Sequence, residues 1–373
     1  MDKILQTGLA AGMSATAGIH RFTGKKPERP DRQFDGKNIM PPSFCPDARA
    51  RVRIPTKAGP PVEASYLCVG GWSWGDTSSW HWKEEEELPA VKEAWRELYA
   101  AGVNFIDTAE AYGDGRSEEI TGELIRSVPA RESVVVQTKW LGLPLAPTNI
   151  AHAADAPLVA LKASLKRLGT DYVDILLVHG HIHRQSVATV AEGLARVVDQ
   201  GLARAVGVAN YDIDDFVKMR DELAKHGVPL NVNQCEYSVL RRLPEIEGDM
   251  ARYKDMEVVF QSYSSLAQGR LAGKYSVDDP PPASHRFSNY DMKDVQPAID
   301  VLRQIATERG KSVAAVALNY NISKGALPLV GIRNPVMARE NLQALGWRLD
   351  PEEVRRIDEN SFLGSRTRLW QQG

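Results

Sequence analysis

The chain has 373 residues, 43% of them hydrophobic, and a net charge of -2 at pH 7. That is enough apolar material for one large core, and too little net charge to draw the chain to nucleic acid or an anionic membrane. Its three cysteines, Cys45, Cys68 and Cys235, have no paired spacing, which reads as a reduced cytoplasmic protein rather than a disulfide framework.

Residues 1–50 read as a Pro-studded, poorly ordered extension. Thr7 to Ile19 carries no charge but falls well short of the ~20 apolar residues of a membrane span. It also holds too many Ser, Thr and Gly for a signal-peptide core. Before Arg32 the only acids are Asp2, Glu28 and Asp31. A presequence for an organelle is therefore the alternative to a cytoplasmic location.

From Arg51 to Gly373 the pattern is that of one domain. Arg51 to Pro55 and Val62 to Tyr66 flank the turn Gly59, Pro60, Pro61, which suits a hairpin capping the bottom of a barrel. Strands are then expected near Tyr66–Val69, Val103–Ile106, Ser133–Thr138, Tyr172–Val178, Ala203–Val208, Leu230–Asn233, Val258–Gln261 and Leu327–Val330. Their short apolar, β-branched runs fit strands buried on both faces. Between them lie amphipathic helices. Leu88, Val91, Trp95 and Leu98 share one face, as do Leu158, Leu161, Leu165 and Leu168. Gly102 and Gly169 are natural helix stops. Asp350, Pro351 and Glu353 form the start of a last helix, with a capping box and a Pro in the first turn. About eight strands alternating with helices predict an α/β fold, a (β/α)8 TIM barrel with an N-terminal hairpin cap and a C-terminal extra helix. Two long loops interrupt the pattern. One, from Ser73 to Glu84, carries Trp74, Trp80 and Trp82 beside Trp72. The other, from Asp278 to Asp294, carries His285, Arg286 and Tyr290 and is expected over a ligand cleft.

Three successive strands end abruptly in polar groups. Val103 to Ile106 delivers Asp107, with Tyr112 in the turn beyond. Val134 to Thr138 delivers Lys139, and Ile175 to Val178 delivers His179. The carboxyl ends of barrel strands form the catalytic face. A phenol titrates near ~10, and an adjacent ammonium favours its ionised form. A carboxylate would hold that ammonium in a dry site. A neutral imidazole can orient a substrate oxygen. Together these make a proton donor facing a small carbonyl pocket, and a cofactor must bring the reductant.

On these residues the chain resembles the aldo-keto reductases, from about Val62 to about Phe362. The resemblance implies that Asp107, Tyr112, Lys139 and His179 are the catalytic tetrad. Leu165 to Asp174 resembles the segment before the histidine strand. Gly207 to Tyr211 looks like the segment whose Asn, here Asn210, holds the nicotinamide amide, with Gln234 as its partner. Tyr263 looks like the residue that stacks on the nicotinamide ring, and Ser264, Leu266 and Gln268 follow it in the same cofactor-binding segment. Gly331, Arg333, Glu340 and Asn341 resemble the site for the adenosine half. The cofactor so implied is NADP(H), and the partner a small-molecule carbonyl substrate, with no nucleic acid or membrane. Four positions depart from the family pattern. Ala209 stands for a usual Ser, Ser265 for a Pro, Gly180 for a Trp, and Met337 for a Gln or Arg near the ribose. Trp72, Trp74 and Trp140 are expected to wall the substrate pocket.

Two other classes compete. His179, His181 and His183 alternate along an extended segment and could share a metal in a barrel hydrolase, although no metal is expected here. Some barrels resembling this family are regulatory subunits of potassium channels that retain the nucleotide, so a non-catalytic nucleotide sensor is the third class. No GxGxxG follows a strand, which argues against a Rossmann dehydrogenase.

Overall fold

The computed structural model describes residues 40–366, apart from Pro42, Ala283, Arg286, Phe287 and Asn289. The expectations for residues 1–39, including the presequence, and for Arg286 lie outside the described residues. A hairpin of β1 (Arg51–Ile54) and β2 (Val62–Ser65) comes first. Eight parallel strands then close a barrel in chain order: β3 (Cys68–Gly70), β4 (Phe105–Asp107), β5 (Val135–Trp140), β6 (Val173–Val178), β7 (Ala203–Ala209), β8 (Leu230–Glu236), β9 (Val259–Tyr263) and β10 (Leu327–Gly331). The fold is the (β/α)8 barrel read from the sequence.

The strands bury both faces, which is why their sequences are runs rather than alternations. Outward residues such as Val136, Leu176, Val206 and Phe260 join the helices in one large core. Inward residues Cys68, Phe105, Val135, Ile175, Leu177 and Val232 form a second core inside the barrel, and Ile54, Val62 and Ala64 of the hairpin pack into it. The hairpin thus plugs the lower end.

Helix α1 (Glu84–Ala101) shows how local sequence sets an element. Four glutamates, Glu84 to Glu87, open it where the helix dipole favours negative charge. Val91, Trp95 and Leu98 bury its inner face. Gly102 ends it at φ 113, donating its N–H to the carbonyls of Leu98 and Tyr99. A Cβ there would lie 3.0 Å from the Ala48 carbonyl oxygen, so the stop is specific to glycine. The last helix, Pro351–Asp358, has the expected capping box between Asp350 and Glu353. Arg309 of the long helix Met292–Arg309 pairs with Glu353, which docks this last helix on the barrel's outer layer. Among the described residues no helix is long and apolar enough to cross a membrane.

Candidate active site

The strand ends deliver one connected cluster. Asp107, the last residue of β4, and Lys139 in β5 are both buried, and Lys139 Nζ lies 2.6 Å from Asp107 Oδ2. The same ammonium donates to the Thr108 carbonyl at 2.9 Å and lies 3.1 Å from the Tyr112 hydroxyl. The His179 ring meets the Tyr112 ring edge-on, with centroids 5.6 Å apart. Tyr112 is held there by a tight turn. Thr108 and Ser117 share a hydrogen bond of 2.8 Å, and Ser117 donates to the Gly71 carbonyl. Gly113 follows at φ 54, where a Cβ would come within 2.7 Å of the Trp74 carbonyl oxygen. The four expected tetrad residues are therefore brought together.

The electrostatics differ from the simplest expectation at the phenol. Burial pushes Tyr112 above its ordinary value; the Lys139 charge pulls the other way but does not win. Tyr112 thus keeps its phenolic proton at neutral pH. Burial also disfavours the Lys139 ammonium, yet Asp107 and Tyr112 outweigh it and the net shift is upward. His179 is held well below 6.5, first by burial and then by the Lys139 charge, so its imidazole is neutral.

Beneath the tetrad lies a layer of glutamines that sequence reasoning did not single out as a set. Gln137 and Gln234 donate to Asp107 Oδ1 at 2.6 and 3.1 Å. Both also donate to Gln261 Oε1, and Gln261 returns a bond to Gln137 at 3.0 Å. Gln234, expected at the nicotinamide amide, thus bonds to the Asp107 carboxylate. Glu110 was also missed. Its carboxylate accepts the Leu141 N–H at 2.6 Å, tying the tyrosine turn to the end of β5, and burial lifts it to about 7.

The residues expected at a cofactor line the next stretch of rim. Asn210 donates to the His179 carbonyl at 3.0 Å and accepts from the Tyr263 hydroxyl at 2.8 Å. It thereby links the ends of β6, β7 and β9. Asn210, Ser264, Ala267 and Gln268 all have positive φ, between 46 and 61. Left-handed backbone at four non-glycine residues is costly, and such strain gathers at binding sites. Leu266 lies between them, half-buried. Gly331 ends β10 exposed, and Asn341 Nδ2 donates to its carbonyl at 3.4 Å. Glu340 is half-buried beside Asn341 in the helix Pro335–Leu342.

A cationic corner suits phosphate. Burial lowers His285 to about 4, and Arg270, Lys274 and Arg333 add their repulsion. Arg270, itself buried, donates to the His285 carbonyl at 2.8 Å. Arg333 itself is engaged: its Nε and Nη2 both donate to the carboxylate of Glu87 in α1. The positive charge of these side chains, with the strained loop after β9, fits an anionic nucleotide.

The aromatic expectations need correction at two positions. Trp74 is fully buried and donates its indole N–H to the Ile332 carbonyl at 2.9 Å, so it seals the barrel top instead of walling a pocket. Trp140 is buried in the outer core and donates to Asn149 at 3.0 Å. Alternation explains it: Lys139 points into the barrel, so its neighbour must point out. Trp72 is half-buried and packs edge-on against Trp80, centroids 5.3 Å apart. Trp80 in turn meets His285 at 4.7 Å. An aromatic rim thus runs from the first barrel loop to the loop after β9. The three histidines after β6 do not gather as one ligand set. His179 faces Tyr112, His181 Nδ1 is 2.5 Å from Asp215, and His183 Nε2 is 2.9 Å from the Tyr211 hydroxyl.

The chain is similar to known proteins over most of its length. The model of the Aldo/keto reductase family matches residues 66–361. A chloroplastic pyridoxal reductase from Arabidopsis thaliana is 32% identical over 316 residues, covering 80% of this chain and 83% of that protein. A glycerol dehydrogenase from Gluconobacter oxydans has a TM-score of 0.69 at 26% identity, covering 84% of this chain and 95% of its own. An aldo-keto reductase from Klebsiella pneumoniae, solved in complex with NADPH, has a TM-score of 0.62 at 25% identity, covering 85% of this chain and 99% of its own. With a barrel of this topology and a family match over most of its length, the chain belongs to the aldo/keto reductase family and is an oxidoreductase.

Proposed function

We propose that this protein reduces an aldehyde or ketone to the alcohol with NADP(H), that Tyr112 donates the proton, and that aromatic carbonyl compounds are its preferred substrates. The observation that carries this is the buried Tyr112 hydroxyl 3.1 Å from Lys139 Nζ, with Lys139 held in turn by Asp107. When bound, the nicotinamide supplies hydride to the carbonyl carbon. Neutral His179 donates a hydrogen bond to the substrate oxygen and sets its position beside the phenol. Tyr112 passes its proton to that oxygen. The phenolate left behind faces the Lys139 ammonium, which stabilises it far better in a dry pocket than in water. Asp107 and the three glutamines keep the ammonium in register and make its burial tolerable.

Cofactor binding is assigned to Asn210, Tyr263, Ser264, Leu266 and Gln268 at the nicotinamide side, and to Gly331, Arg333, Glu340 and Asn341 at the adenosine side. The cationic corner of Arg270, Lys274 and Arg333 supports a phosphate-bearing ligand there. Half-buried Trp72 and Trp80 support a planar apolar substrate. The pyridoxal reductase relative, named for an aromatic aldehyde, points the same way. Three free thiols suit a reducing, cytoplasmic setting.

The test is a nicotinamide-oxidation screen over aldehydes, ketones and quinones with NADPH and NADH, repeated with Tyr112→Phe. That variant should keep NADPH affinity and lose at least ~10²-fold in kcat. An unimpaired kcat would refute the proton donor. Tight nucleotide binding with no turnover on any carbonyl would favour the non-catalytic sensor instead.

A further inference from the structure

We infer that Glu87 is a cofactor-discriminating residue: it competes with the nucleotide 2′-phosphate for Arg333 and so limits the protein's preference for NADPH over NADH. Both Nε and Nη2 of Arg333 donate to the two oxygens of the Glu87 carboxylate. That edge is the forked face through which a guanidinium grips a carboxylate or phosphate in two parallel bonds. With that face filled, the Arg333 charge is already compensated by a carboxylate, and a phosphate could reach only the end-on pair of Nη1 and Nη2 hydrogens. Glu87 is anchored in its turn. Its Oε1 accepts the Lys83 N–H at 3.0 Å, and it sits in the first turn of α1, where the helix dipole favours a carboxylate. The side chains of Arg333 and Glu87 are 29% and 14% exposed. The pair is solvated enough to exchange, yet sheltered enough that a second anion beside Glu87 meets real repulsion.

The two cofactors differ in what they gain by opening this pair. A 2′-phosphate carries up to two charges and can replace the carboxylate on Arg333, though it must then lie beside the displaced Glu87. A 2′-hydroxyl cannot compete for the fork and leaves the pair closed. Glu87 therefore weakens NADPH and is nearly silent toward NADH. Met337, four residues beyond Arg333, carries no charge that could hold the phosphate while the fork is closed. This role rests on the placement of Arg333 at the adenosine side, proposed above, and on its meeting the 2′-phosphate there, and the test separates the two.

The dissociation constants of NADPH, NADH, 2′-AMP and 5′-AMP are measured by calorimetry on the full chain, on Glu87→Gln, on Arg333→Ala and on the double variant. Glu87→Gln keeps the shape and the hydrogen-bonding oxygen while removing the charge. It should tighten NADPH and 2′-AMP by about three- to tenfold and change NADH and 5′-AMP by less than about twofold. In the Arg333→Ala background the same substitution should have no effect beyond about twofold, because there is no fork left to release. If Glu87→Gln weakens NADPH, Glu87 positions Arg333 for the phosphate and the competition is overturned. If the tightening persists without Arg333, Glu87 acts by general repulsion and the competition is again overturned. If Arg333→Ala weakens both cofactors equally, Arg333 does not read the 2′-phosphate, and both assignments fall together.

Discussion

Replacing Asp107 by Asn isolates what the carboxylate does for Lys139. In the native protein the Lys139 side chain is 0% exposed, and its ammonium is compensated by Asp107 at 2.6 Å. Removing one partner of a buried pair leaves an uncompensated charge, which costs about 3–5 kcal/mol. The substituted protein can avoid part of that cost by releasing the proton. The sign follows from linkage. In the native chain the folded Lys139 value is raised above 10.5, so the pair's stabilisation is fully present below 10.5 and fades only as pH rises through the folded value. In Asp107→Asn burial acts with no carboxylate to oppose it and the folded value drops below 10.5. The unfolded chain then binds a proton the folded chain refuses, and stability falls by about 1.4 kcal/mol for each pH unit below the unfolded value until the folded value is reached. Urea unfolding of both proteins at about pH 7 and about pH 9.5 measures this directly. The deficit of the variant should be larger at the lower pH by at least about 2 kcal/mol. A deficit equal at both values would mean that Lys139 stays charged without Asp107, and would refute the compensation argument. At neutral pH the same variant should lose about 10²-fold in kcat, because the phenolate would no longer face an ammonium.

Three further outcomes are expected. Trp72→Ala should lower kcat/KM for benzaldehyde-like substrates by about tenfold, with little change for short carboxylate-bearing aldehydes; an unchanged ranking would make Trp72 structural. Because burial holds His179 well below 6.5, kcat at saturating cofactor should show no imidazole step between about pH 6 and 8. A folded value this depressed costs stability only as pH falls below 6.5, where the unfolded chain takes up the proton, and a clear step near neutrality would place a charged imidazole in the site. Gln261→Leu removes a partner from both Gln137 and Gln234 and should destabilise the fold by about 1–3 kcal/mol while slowing turnover; wild-type behaviour in both assays would show that the glutamine layer is dispensable.

The tetrad was legible because strand ends in a barrel announce themselves: an apolar run stops and a charged residue begins. The same signal misplaced the strand ends. The run near Ser133–Thr138 continues as paired backbone to Trp140, and that near Leu230–Asn233 continues to Glu236. Backbone pairing is indifferent to side-chain polarity, so hydropathy ends a strand too early on the rim. The glutamine layer stayed hidden for the same reason, since amides inside a barrel look like loop residues until their partners from other strands are known. Trp140 could have been placed by parity alone: once Lys139 faces inward, its neighbour cannot. Trp74 could not, because its partner is the carbonyl of Ile332, far along the chain. Nor could the pairing of Arg333 with Glu87, which arises only where the last barrel helix meets the first.

The packed interior and the plugged lower end leave the rim as the face a ligand can approach. Met40 donates its N–H to the Ser323 carbonyl at 2.9 Å, close to the start of β10 and so at the barrel's floor. A substrate of the Tyr112 cluster would therefore have to come and go on the rim side, where Trp72 and Trp80 lie.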